Sequence, residues 1–255
     1  RTARVSVSFR HPEKLMSLTD PSPPRRAVRP APAFVLAGER VEPRGSGALW
    51  WPARRLLAVA DLHLGRSERM ARRGGVLLPP YETEDTLARL AAEIAALEPA
   101  RVVCLGDSFD DGAAAAALGP ALAARLAALG RGRHWLWIAG NHDPAPPGLP
   151  GDWASEAAIG PLALRHVARA ERPPESRAEL SAHYHPKARL AHRGRRIARP
   201  CLLADARRAI LPAFGTYTGG LDATDPAFDR LLAGDARAWL TGRRVVGLPR
   251  AGLAR

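Results

Sequence analysis

The chain has 255 residues, 46% of them hydrophobic, a formal net charge of +13 and a sequence pI near 11.2. That length suits one large α/β domain, and the apolar content is ample for a buried core. A chain this basic favours a polyanionic partner, because cationic surfaces attract phosphates without reading sequence. Two cysteines, Cys104 and Cys201, are too few for a disulfide framework and fit a reducing cytosol, so a cytoplasmic location is expected. No apolar run has the length of a membrane span, and the N-terminal stretch lacks the apolar segment of a signal peptide.

Residues 1–33 hold seven Arg or Lys against two acids, with Pro21, Pro23, Pro24, Pro30 and Pro32, and read as a disordered arm. The first methionine is Met16, so residues 1–15 are either part of that arm or an upstream extension that is not translated. Residues 34–255 are expected to form the folded domain. Phe34 to Ala37 and Ala48 to Trp51 read as an opening hairpin around a polar turn, with Trp50 and Trp51 packing inward. Arg55 to Ala60 is an aliphatic strand ending at Asp61. Leu87, Leu90, Ile94 and Leu97 repeat at three and four residues, which predicts a helix over Thr83 to Leu97, closed by Pro99.

The pattern then recurs. Arg101 to Leu105 is a strand running into Gly106 and Asp107, Ala113 to Leu129 a helix, and Trp135 to Ala139 a strand running into Gly140 and Asn141. Strands alternating with helices imply parallel pairing through right-handed crossovers, with the ligand site beyond the carboxyl ends of the strands. The second half changes character. Leu162 to His166, Ala188 to His192, Arg196 to Leu203 and Ala209 to Leu211 read as strands of a mostly antiparallel sheet, with a tight basic turn at Arg193 to Arg195 and a late helix over Asp225 to Ala233.

Chemistry-bearing residues cluster at these ends. Asp61-Leu62-His63 sends two side chains one way and Leu62 into the core, because strand side chains alternate. Asp107 and Asp110 follow the second strand; a carboxylate can bridge two cations, which an imidazole cannot. Gly140-Asn141-His142-Asp143 adds an amide oxygen, an imidazole and a carboxylate able to hydrogen-bond that imidazole. His166 stands alone, and His183 and His185 flank Tyr184. Carboxylate, imidazole and amide groups gathered in this way can hold two divalent cations and suggest a hydrolase of phosphate esters. Each residue singly has a plainer reading, an Asp after a strand being a common helix cap and Gly106 and Gly140 ordinary turn residues.

This order of blocks, spanning roughly residues 55–190, resembles the calcineurin-like metallophosphoesterases, whose signature runs Asp-x-His, Gly-Asp-x-x-Asp, Gly-Asn-His-Asp or Glu, a lone His, then Gly-His-x-His. The resemblance implies an α/β four-layer sandwich of two packed mixed β-sheets flanked by helices. It implies that Asp61, His63, Asp107 and His185 ligate one metal, and Asp107, Asn141, His166 and His183 a second. His142 would face the phosphate, oriented by Asp143. Two divalent ions, with Mn the expected metal and Fe or Zn the alternatives, would polarise the phosphoryl oxygens and activate a water for in-line attack.

Ala60 to Gly65, Leu105 to Phe109, and the late runs Leu211 to Gly215 and Tyr217 to Leu221 bring the chain closest to the ligase-associated DNA-damage-response endonucleases. That implies a phosphodiesterase acting on DNA, with a DNA ligase or helicase as partners. The late run carries no metal ligands and points to the subfamily rather than to chemistry. A small-molecule phosphodiesterase or nucleotide pyrophosphatase, and a catalytically weak DNA-binding subunit of a repair assembly, are the alternatives. Ala182 departs from the pattern, standing where Gly is usual; a positive φ there would strain it. Arg193, Arg195, Arg196 and Arg199, and likewise Arg72 and Arg73, either track a phosphate backbone or form solvated charged turns.

Overall fold

The computed structural model describes residues 31–255 apart from residues 76, 146–147, 193–194 and 254–255. The arm expected over residues 1–33 lies almost wholly outside the described residues, as do the tip of the basic turn and the side chains of Arg195 and Arg196. Ala31–Arg255 forms one contact unit.

A seven-stranded sheet opens the fold. Strands β1 (Phe34–Leu36), β2 (Glu39–Pro43), β3 (Leu49–Trp51) and β4 (Leu56–Val59) form an antiparallel meander, and β4, β5 (Arg101–Leu105), β6 (His134–Ile138) and β7 (Asp152–Ala154) run parallel. The expected opening hairpin is corrected here: β2 lies between its two arms, so Phe34 pairs with Val41 rather than with the Trp50 strand. Two helices, α1 (Arg66–Arg72) and α2 (Glu82–Leu97), connect β4 to β5, and two more, α3 (Gly112–Ala116) and α4 (Pro120–Gly130), connect β5 to β6. The single helix expected over 113–129 is broken, because Pro120 at the first turn of α4 cannot continue α3 and suits a helix start. Glu82, Glu84 and Asp85 in the first turn of α2 complement its positive end.

The chain changes sheets across Ser155. The second sheet contains β8 (Glu156–Ile159), β9 (Leu162–Arg165), β10 (Ala178–Ser181), β11 (Lys187–His192), β12 (Arg195–Ala204), β13 (Arg208–Ile210), β14 (Arg237–Leu240) and β15 (Val246–Pro249). Its edges are antiparallel as expected, but β9, β10 and β13 run parallel at its centre. The late helix is only a 3-10 turn, Pro226–Asp229.

Three apolar layers hold these parts together. Leu36, Leu56, Val103, Leu105 and Ile138 from the first sheet meet Leu164, Leu180, Leu202 and Leu211 from the second. On the outer face of the first sheet, Leu57, Val59 and Cys104 pack on Leu87, Leu90 and Ile94 of α2 and Leu126 of α4. Phe228, Leu231 and Leu232 cover the outer face of the second. Trp51 is fully buried and Trp50 nearly so. Both cysteines are buried, and burial pushes the Cys201 thiol up to about 12, as inert structural thiols require. No described helix is long and apolar enough to cross a membrane.

Candidate metal centre

The parallel strands of both sheets end at one place. Asp61 and His63 follow β4, Asp107 follows β5 and Asn141 follows β6; from the other sheet, His166 follows β9 and His183 follows β10. The parallel pairing of β9 with β10 brings the last two together, with ring centroids 5.0 Å apart. Leu62 is buried between Asp61 and His63 in the layer under α2, as expected, but the stretch lies beyond β4 and strand alternation does not set it.

The backbone is bent to achieve this. Asp61, His63, Asp107, His183 and His185 all have positive φ, between 46° and 73°, a region that costs a non-glycine residue roughly 1–3 kcal/mol. Among the described residues only four other non-glycines share it. Ala182 is not one of them; it is buried, and its N–H donates to the His166 carbonyl at 2.8 Å, so the feared strain falls one residue later, on His183.

Beside a group that lies on the first sheet alone, His63 with Asp110 and His142, two groups of donor atoms draw on both sheets. Asp61, His63 and His185 form one and Asp107, His166 and His183 the other, the atoms of each within 4.8 Å of one another. Asp107 Oδ2 lies between them, 3.3 Å from His166 Nε2 and 4.0 Å from both His63 Nε2 and His142 Nε2. Asn141 Oδ1 is 2.9 Å from His166 Nε2, which adds an amide oxygen to the second group. Asp61 Oδ1, His63 Nε2 and His185 Nε2 are buried without hydrogen-bond partners, a costly state for polar atoms unless a cation takes them as ligands. The residues therefore fit two divalent ions, with mixed imidazole and oxygen donors suited to Mn, Fe or Zn.

Hydrogen bonds around the donors fix which atom of each ring points inward. His166 Nδ1 donates to the Leu105 carbonyl at 2.9 Å and so presents Nε2. His63 Nδ1 sits 2.8 Å from Asp110 Oδ1 and likewise presents Nε2. His142 Nδ1 is held at 2.7 Å by the Asp110 carbonyl, which leaves its Nε2 turned to the centre. Burial opposes the charged form of His166, yet the Asp107 and Asp61 carboxylates raise its pKa; a bound cation would replace that proton. Burial, followed by the neighbouring His166, lowers the pKa of His183 and keeps the ring a neutral donor.

Asp143 plays a different part from the one expected. Its Oδ1 accepts from the N–H groups of Asp107 and Gly140, and its Oδ2 from those of Ser108 and Phe109, at 2.7 to 3.1 Å. With both oxygens committed to backbone, it shapes the Asp107 turn and does not orient His142. Burial, helped by the Asp107 charge, pushes its carboxyl up to about 6 against the pull of those donors. Gly140 is equally specific rather than an ordinary turn residue: a Cβ there would lie 2.1 Å from Asp107 Oδ1 and 2.6 Å from Asp143 Oδ1.

The sequence placed Asp110 among the candidate ligand types without a role of its own, and it singled out neither Arg66 nor Arg69. Asp110 is fully buried, its Oδ1 3.0 Å from Arg66 and its Oδ2 2.9 Å from Arg69. Burial alone would raise its pKa, but His63, Arg66 and Arg69 hold it down at about 2. The signal available was the three-residue spacing of Arg66, Arg69 and Arg72, one face of a helix. Arg72 pairs with Asp111 at 2.9 Å, and Arg73 lies exposed 3.7 Å from the same carboxylate.

Comparison with known proteins agrees with this geometry. A family model described as calcineurin-like phosphoesterase matches residues 54–189. The chain is similar to a nuclease from Pseudomonas putida, MPE, whose crystal structure shares 32% sequence identity, covers 85% of this chain and 99% of the other, and superposes with a TM-score of 0.66. A phosphoesterase from E. coli, Yfce, is a distant match at 12% identity and a TM-score of 0.39, over 76% of this chain and 98% of that one. No curated protein matches. The chain belongs to the calcineurin-like phosphoesterase family, and it is a metal-dependent phosphoesterase.

Proposed function

We propose that the protein is a two-metal phosphodiesterase that cuts DNA, an endonuclease of the DNA damage response, with Mn²⁺ as its physiological metal. The observation that carries the reading is the pair of donor groups sharing Asp107 Oδ2. The similarity to a nuclease over 85% of the chain supports the substrate class, and the +13 charge supports a polyanion. A cleft lined by Asn141, His166, Arg165, Arg169 and Glu156 opens beside the second group, with Glu156 pairing both arginines at 3.2 and 3.0 Å. DNA is the proposed partner, with a ligase or helicase of a repair system acting beside it in the cytoplasm.

Bound divalent cations would polarise the phosphoryl oxygens and lower the pKa of a water. The chain supplies the rest. His142, half-exposed and anchored through Nδ1, has Nε2 available to give a proton to the departing alkoxide or a hydrogen bond to the phosphoryl group. Asp107 is further fixed by accepting the His142 N–H at 2.9 Å through Oδ1. Its carboxyl is opposed by burial but held down at about 2 by His166, the His142 N–H and His63, so it stays ionised as a ligand must.

The test is Mn²⁺-dependent cleavage of a circular DNA and of a chromogenic phosphodiester by the pure protein. Both activities are expected, and His142→Ala and Asp107→Ala should each lower them at least about 100-fold. Cleavage that survives either substitution overturns the assignment. Turnover of the small diester with no competition by DNA supports the small-molecule alternative, and salt-sensitive DNA binding without turnover supports the binding-subunit alternative.

A further inference from the structure

The late run without metal ligands, Leu211 to Leu221, forms a wall of the metal centre. The N–H of Gly215 donates to the Asp61 carbonyl at 3.0 Å, and the N–H of Leu221 to that of Tyr184 at 3.1 Å. A Cβ at Gly215 would lie 2.2 Å from the Leu62 carbonyl oxygen, and one at Gly220 2.0 Å from that of His185. The loop is therefore wedged between the two turns that carry Asp61, His63, His183 and His185.

Other bonds fix it from behind. Arg89 of α2 reaches the Phe214 carbonyl and the Thr216 hydroxyl at 2.7 and 2.9 Å, and Lys187 Nζ donates to the Thr218 carbonyl at 2.7 Å. At the centre of this clamped segment Tyr217 takes a φ of 63° and stands 36% exposed. Tyr81, at the start of α2 and 55% exposed, meets it with ring centroids 5.9 Å apart. A tyrosine held in a left-handed conformation on a rigid loop, with its ring toward solvent, gains little for the core. Only Thr216 separates it from Gly215, which touches Asp61, so its Cα lies within about 7 Å of that of Gly215.

We infer that Tyr217 and Tyr81 form a stacking subsite for a nucleobase flanking the phosphate that enters the metal centre. This rests on the nucleic-acid reading above and deepens it. Aromatic faces accept any base, and each stacked base contributes about 1–3 kcal/mol, or roughly 5- to 150-fold in affinity. The tilt of 58° between the rings leaves each face able to take a base separately. The subsite thus selects a strand whose bases are unpaired at the point of attack.

The experiment is fluorescence anisotropy of a labelled thymidine oligonucleotide against its abasic counterpart, with chelator present, for the full chain and for Tyr217→Ala, Tyr81→Ala and Tyr217→Phe. The unmodified protein is expected to bind the base-bearing strand at least fivefold more tightly. Tyr217→Ala should bring that ratio near one, Tyr81→Ala should reduce it, and Tyr217→Phe should retain it. Thermal midpoints of the variants show that each is folded. An unmodified protein that binds both strands alike, or a Tyr217→Ala variant that keeps the full ratio, overturns the subsite. Because binding is read without turnover, failure of the nuclease reading appears separately, as an intact ratio with no cleavage under any metal.

Discussion

Asp110 is given no ligand role by the family pattern, yet three side chains converge on it: His63 after β4, and Arg66 and Arg69 on α1. Its Oδ1, 2.8 Å from His63 Nδ1, is placed to hold a proton on that nitrogen and leave Nε2 to the centre. Asp110→Asn is expected to weaken Mn²⁺ binding about 10–100-fold, the usual effect of removing such a support, measured by metal titration. Unchanged affinity would mean that packing alone orients His63. Asp143 differs in kind. Asp143→Ala would leave four backbone N–H groups without their acceptor and should cost at least about 1–3 kcal/mol in chemical denaturation, while Asp143→Asn, which keeps one acceptor oxygen, should cost less. Equal costs would argue against the backbone role.

At the scale of elements, the hairpin of β11 and β12 is tied to the segment after the late loop. The N–H of Lys187 donates to the Leu221 carbonyl at 2.9 Å, the Lys187 carbonyl accepts from the N–H of Ala223 at 2.8 Å, and Arg189 meets Asp222 at 2.7 Å. The pKa of Asp222 is lowered: burial opposes the shift, but the Thr224 N–H and hydroxyl and the Arg189 charge outweigh it. The unfolded chain therefore binds more protons than the folded one between the lowered value and 3.8, the ordinary one. The stabilisation is full above pH 3.8 and disappears as pH falls through the lowered value. Asp222→Asn should lower the thermal midpoint near neutrality and flatten its fall in acid; parallel curves for the two proteins would contradict this.

Legibility also divides by element. The strand of Leu56–Val59 and those of Arg101–Leu105 and His134–Ile138 were visible as apolar runs, and the ligand residues stand just beyond them, so half the site could be placed from spacing alone. The strand of Ala178–Ser181 could not. It turns Ala178 and Leu180 to the core between the sheets but carries Glu179 on its other face, buried and paired with the equally buried Arg208 at 2.9 Å, and a charged residue buried on one face hides a short strand from an apolar pattern. Missing it hid the parallel pairing that brings His166 beside His183. The roles of Asp110 and Asp143 were hidden for a related reason, since carboxylates that serve backbone or imidazole look the same in sequence as those that serve metal.

For the whole molecule, the two sheets come together where their parallel strands end, and the site is the seam between them. The two donor groups that span the seam take Asp61, His63 and Asp107 from the first sheet and His166, His183 and His185 from the second, while His63, Asp110 and His142 gather on the first sheet alone. Cations bound there would link the sheets, so a saturating ion at 100 times its dissociation constant should add about 2.7 kcal/mol of stability. Thermal unfolding with Mn²⁺ and with chelator measures this, and coincident midpoints would contradict it.

The most direct measurement is an anomalous-scattering map from crystals grown with Mn²⁺. Two peaks about 3.5–4 Å apart are expected, one beside Asp61, His63 and His185 and the other beside Asn141, His166 and His183, with Asp107 touching both. A single peak, or none at these residues, would contradict the dinuclear centre on which the account rests.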